Sequence, residues 1–142
     1  MKTSARNQFS GSVSKIVLGA INDEIELTVE GGHKIVAVVT HESARALDLQ
    51  VGAQAYALVK ASSVLIVTDE SGMRFSARNH LHGKVAAVKP GTVNTEVVIE
   101  MPEGGSVASM VTHESAERLG LTVGTPASAL FKASSVIIAA PV

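Results

Sequence analysis

The 142-residue chain contains no cysteine and no tryptophan. Without cysteine it has no disulfides and no thiolate metal sites, and a reducing intracellular compartment is compatible. Aromatics make up 3% of the chain: Phe9, Tyr56, Phe75 and Phe131. Stacking platforms for single-stranded nucleic acid need more than that. An excess of positive charge is missing too. The formal net charge is −1, which leaves no basic footprint for nucleic acid or anionic lipid. The N-terminal stretch Met1-Lys2-Thr3-Ser4-Ala5-Arg6-Asn7 has no apolar core of a signal peptide, and no run is long enough to span a bilayer. A soluble, cytoplasmic protein with no membrane partner is expected. No nucleophile elbow, P-loop or dinucleotide glycine fingerprint is present. No catalytic residue is therefore expected, and the chain does not read as an enzyme.

What the chain does have is a duplication. Ser4-Ala5-Arg6-Asn7 recurs as Ser76-Ala77-Arg78-Asn79, Thr40-His41-Glu42-Ser43-Ala44 as Thr112-His113-Glu114-Ser115-Ala116, and Lys60-Ala61-Ser62-Ser63-Val64 as Lys132-Ala133-Ser134-Ser135-Val136. All three pairs keep one offset of 72 residues, and about 30 positions match without a gap. Two modules follow, residues 1–72 and 73–142, joined by the polar linker Asp69-Glu70-Ser71-Gly72. A module of that size buries a modest fraction of its surface and is marginal alone. With 46% hydrophobic residues, the halves or several chains are expected to pack together.

Each half alternates in the manner of strands. Phe9 to Leu18 reads as a strand ending at Gly19. Ile25, Leu27 and Val29 alternate with Glu24, Glu26, Thr28 and Glu30, the pattern of a half-buried strand. Gly31-Gly32 turns into a buried strand from Lys34 to Val39. A short helix is expected from His41 to Leu49, with Thr40 as N-cap and Gly52 beyond its end. Strands from Ala55 to Val59 and Val64 to Thr68 complete the half. The second half repeats the order, with strands at 85–88, 95–101, 107–111, 127–131 and 136–139 and a helix at 113–119. The expected fold is all-β: two tandem OB-like five-stranded Greek-key barrels, each with one short helix.

Apolar positions drift between halves, as Ile16 to Val88 and Leu27 to Ile99, which is what a core permits. The motifs keep Ser, Thr, Arg and Lys unchanged, and these are hydrogen-bond donors and fixed positive charges. Each has a local reading: Thr40 caps a helix, Ser62 and Ser63 cap a turn, Arg6 and Lys60 are solvated. Retained together in both halves, they read as a donor-rich cage for a small oxyanion. Two further features stand out. Asn22 and Asn94 follow Gly19-Ala20-Ile21 and Gly91-Thr92-Val93, where a turn between strands suffices. His80-Leu81-His82 puts two imidazoles on one strand face, but Gln8 and Ser10 hold those places in the first half, so no direct protein–metal ligand is expected.

Taken together, these motifs resemble the pattern of Mop domains, or molbindins, in tandem, and the resemblance covers essentially the whole chain. It implies binding of molybdate or tungstate, without an organic cofactor, between subunits of a homotrimer, in a role of storage and homeostasis. The family's ligands map onto Ser4, Arg6, Thr40, Ser43, Lys60, Ala61 and Ser62, and onto Ser76, Arg78, Thr112, Ser115, Lys132, Ala133 and Ser134. A second site type maps onto Gly19, Ala20, Ile21 and Asn22 and onto Gly91, Thr92, Val93 and Asn94. Tandem regulators of the family carry a helix-turn-helix before the first module. Nothing precedes Met1 in this sequence, so a transcription factor is not implied. The rival expectation is an OB-fold nucleic-acid-binding module, against which the charge and the scarcity of aromatics both count.

Overall fold

A computed structural model describes residues 1–142. The first half runs β1 (Asn7–Val17), β2 (Asn22–Val29), β3 (Lys34–Thr40), α1 (His41–Ala46), β4 (Gln54–Val59) and β5 (Leu65–Val67). The second runs β6 (Asn79–Pro90), β7 (Asn94–Glu100), β8 (Ser106–Thr112), α2 (His113–Arg118), β9 (Pro126–Phe131) and β10 (Ile137–Ala139). The order of elements is the one expected. Both helices stop short, at Ala46 and Arg118, because Leu47 and Leu119 already act as C-caps. Strand β6 is longer than expected, since His80 and His82 belong to it.

Alternation decides the faces. In β2, Asp23, Ile25, Leu27 and Val29 are buried while the residues between them are not, so the sheet has one dry face and one wetter face. All strand pairings are antiparallel, and two curled five-stranded sheets result. They fit the OB-like barrel expected from the element order.

One pairing differs from that expectation. The sheets read β10-β4-β1-β2-β3 and β5-β9-β6-β7-β8. Each half gives its last strand to the other. Ile137, Ile138 and Ala139 lie opposite Leu58, Ala57 and Tyr56, while Leu65, Ile66 and Val67 lie opposite Leu130, Ala129 and Ser128. The Ala61–Ser63 turn packs on β8 and the Ala133–Ser135 turn on β3. Buried Val64 is fixed there by its carbonyl, which accepts the Ser109 hydroxyl at 2.6 Å. The chain has thereby crossed to the other half before β5 begins. A single cluster of 24 buried apolar residues, drawn from both halves, forms the core.

Candidate functional site

The motif residues fall into two groups. Ser4, Arg6, Lys60, Ala61 and Ser62 line one cavity of about 420 Å³. Its far wall is Met110 and Ile137, from the other half. Lys60 follows β4 in extended geometry and leads into the Ala61–Ser63 turn. Ala61 is buried, whereas Lys60 and Ser62 are exposed, so the turn presents its polar groups while its alanine anchors it.

Thr40 and Ser43 are elsewhere. Thr40 caps α1 as expected: its hydroxyl accepts the Ser43 N–H at 3.0 Å and donates to the Ser43 hydroxyl at 2.7 Å. Thr112 and Ser115 repeat this at 3.1 and 2.8 Å. Thr40 shares a second concavity with Ala20, Ile21, His41 and Arg45. The first group and Thr40 with Ser43 are therefore not assembled into one cage within a single chain. Since α1 has six residues, its dipole adds little, and the hydroxyls and amides are the chemistry on offer.

The Gly19–Asn22 turn lies against that second concavity. Asn22 is the first residue of β2, paired with Thr40. His41 N–H donates to the Ile21 carbonyl at 2.7 Å, and His113 N–H to that of Val93 at 2.9 Å. A Cβ on Gly19 would sit 2.1 Å from the Asn22 carbonyl oxygen, and one on Gly91 2.3 Å from that of Asn94, so only glycine closes this turn. Buried Asp23 ties the turn to the helix: it accepts from the Gly19 N–H at 2.9 Å and lies 3.0 Å from His41 Nδ1. The Gly19 hydrogen bond holds the Asp23 carboxyl below the usual carboxylate range, outweighing the opposite effect of burial, and His41 lowers it further. The second half has Thr95 there, 3.2 Å from His113 Nδ1.

Two roles were not expected. Arg6 is 2.9 Å from Glu96, and Arg78 is 2.6 Å from Glu24. The repeated arginines therefore stand against carboxylates, which the donor-rich reading of the motifs did not include. Each pair uses one guanidinium nitrogen, Nη1, leaving further N–H groups for a ligand. Glu96 is only 10% exposed, so it backs Arg6 without opening to solvent. The asparagines of the first motif bridge the halves. Asn7 donates to the Ala108 carbonyl and accepts the Ala108 N–H, both at 2.8 Å. Asn79 does the same with Val36, at 2.9 and 2.8 Å. Signals for both roles were in the repeat, since Glu24 and Glu96, like the asparagines, are identical at the common offset.

The family model of the TOBE domain matches residues 3–66 and again 76–138, one match in each half; the chain belongs to that family. Among individual relatives, it is 45% identical over 141 residues to the molybdenum-pterin-binding protein MopA of Rhodobacter capsulatus, matching 99% of this chain and 53% of that protein. It is 45% identical over 139 residues to the molybdenum transport protein ModE of Azotobacter vinelandii, matching 98% of this chain and 51% of that one. The chain thus spans about half the length of these relatives. It is also similar to the crystal structure of ModG, a cytoplasmic molybdate-binding protein with molybdate bound: the TM-score is 0.96 at 50% identity, over 99% of this chain and 100% of that one. The Mop resemblance drawn from the motifs is borne out by these matches.

Proposed function

We propose that the protein binds molybdate or tungstate, without catalysis and without an organic cofactor, at contacts between copies of itself, in a cytoplasmic storage role. Residues 1–72 and 73–142 each supply one set of ligands. The observation that carries this is where the exposed apolar residues lie. Ile137, at 60% exposure, borders the cavity of Arg6 and Lys60, and Ile21, at 77%, borders that of Thr40. Their repeats or counterparts, Leu65 and Val93, are 66% and 73% exposed. Apolar rims around half-built polar sites call for another chain to cover them and complete the sites. A trimer is the closed assembly that the Mop resemblance implies. The relatives named for molybdenum and molybdate supply the ligand class.

Selectivity follows from protons and size. Molybdate and tungstate are fully deprotonated at neutral pH, so every oxygen can accept from Arg, Lys, Ser, Thr and backbone N–H groups. Hydrogen phosphate carries a proton that needs an acceptor. Glu24 and Glu96 stand against the arginines, and a phosphate hydroxyl that meets only donors in a site closed by a neighbouring chain costs about 1–3 kcal/mol. Sulfate is fully deprotonated but smaller, so some donors fall out of reach. The test is competition against bound molybdate. Tungstate is expected to displace it in proportion to concentration, and equimolar phosphate or sulfate hardly at all. Displacement by equimolar phosphate or sulfate would refute the cage.

A further inference from the structure

We propose that Glu70, His80 and His82 form a binding site for a divalent transition-metal ion of zinc-like chemistry, one per chain and separate from the oxyanion sites. The sequence shows only the two histidines. The fold adds the third ligand by folding the linker back onto β6. One Glu70 carboxylate oxygen is 2.8 Å from His80 Nε2 and the other is 3.0 Å from His82 Nδ1. These atoms all lie within 4.8 Å of one another. An ion held about 2.0–2.1 Å from each ligand needs ligand atoms roughly 3.3 Å apart, so a small opening of the cluster admits it.

The surroundings fit coordination. His80 and His82 alternate with buried Leu81, so both rings project from one face of β6. The rings sit 4.2 Å apart, tilted by 33°. Two imidazoles and one carboxylate match what a borderline divalent ion takes. Phe75 packs on His80 with ring centroids 5.7 Å apart and holds that ring. The Ser128 hydroxyl, opposite His82 in β9, lies 2.9 Å from His82 Nδ1 and 3.2 Å from Glu70; it touches the nitrogen that would ligate, so it gives way when an ion enters. Three protein ligands leave at least one position for water. Ligation also closes the loop from Glu70 to His80, which carries Ser76 and Arg78.

The first half has Gln8 and Ser10 in place of the histidines, which makes the stoichiometry diagnostic. The test is calorimetric titration of the chelator-treated full chain with zinc. One zinc ion per chain is expected. His82→Ala, Glu70→Gln and His80→Ala are each expected to weaken it by about tenfold or more, since even outer-shell losses cost that much. His113→Ala, beside a different glutamate, is the control expected to change nothing. His82 is largely exposed, so its alanine variant is expected to keep the circular dichroism spectrum of the wild type. No zinc uptake by the wild type would overturn the site, and so would equal uptake by wild type and His82→Ala. Molybdate binding measured in parallel tells this outcome apart from a failure of the oxyanion reading.

Discussion

Asn7 and Asn79 illustrate what a repeated residue can mean. Each amide imitates a peptide group and completes the edge of the opposite sheet through Ala108 or Val36. Alanine at either position leaves half-buried backbone groups of Ala108 or Val36 without partners, a loss of up to about 1–3 kcal/mol per group. Asn7→Ala is expected to lower the unfolding free energy accordingly and so move the urea midpoint down, and an unchanged midpoint would remove the bridge from the account. Asp23 carries a pH signature. Its folded-state carboxyl is lowered relative to the unfolded chain, where the ordinary value is about 3.9. Its contribution is then present above that value and is lost as pH falls through the lower folded one. The stability gap between wild type and Asp23→Asn is expected to be full at neutral pH and to close on acidification below about pH 4. Urea midpoints at several pH values decide this, and a gap constant with pH would contradict it. Residue identity was legible in the motifs, but partners were not. Arg6 and Glu96 stand far apart in sequence, and only the packed halves bring them together.

Among elements, the exchange of β5 and β10 was the feature the sequence hid. Lys60 to Val64 and Lys132 to Val136 are identical, so nothing local says which sheet either strand joins. Alternation and turn chemistry read the strands, the helix starts and the Thr caps correctly, because those depend on near neighbours. Strand partnership depends on contacts across the whole chain. Ile138 is buried in β10 opposite Ala57, and Ile138→Ala costs about 2–5 kcal/mol by the usual cavity rule. The loss is expected to fall on the first half's sheet: hydrogen exchange speeds up at residues 56–58 of β4, while residues 128–130 of β9, paired with β5, stay protected. Faster exchange in β9 with β4 unaffected would contradict the exchange. The His80–His82 pair was legible as a motif, yet the linker carboxylate that completes it became visible only in the fold.

At the scale of the whole molecule, both sheets share one apolar core, yet large side chains remain outside it in pairs: Ile21 with Val93, Leu65 with Ile137, Val51 with Val123. Single exposed apolar residues need no explanation, but a matched set placed twice by the duplication is what the proposed assembly would cover. Ile137 and Ile21 of this set border the two polar cavities, so under the proposed function assembly and ligand binding are expected to occur together. Arg6→Ala and Arg78→Ala each remove a charge-assisted donor of about 1.5–3 kcal/mol, roughly ten- to hundredfold in affinity for the sites they serve. The most direct test is native mass spectrometry of the wild type and of the Arg6→Ala, Arg78→Ala double variant, with and without molybdate. The expected result is a wild-type trimer that carries molybdate, and a trimer of the variant that carries far less. A wild-type monomer that retains molybdate, or a variant trimer loaded like the wild type, would contradict sites completed between chains by the repeated arginines.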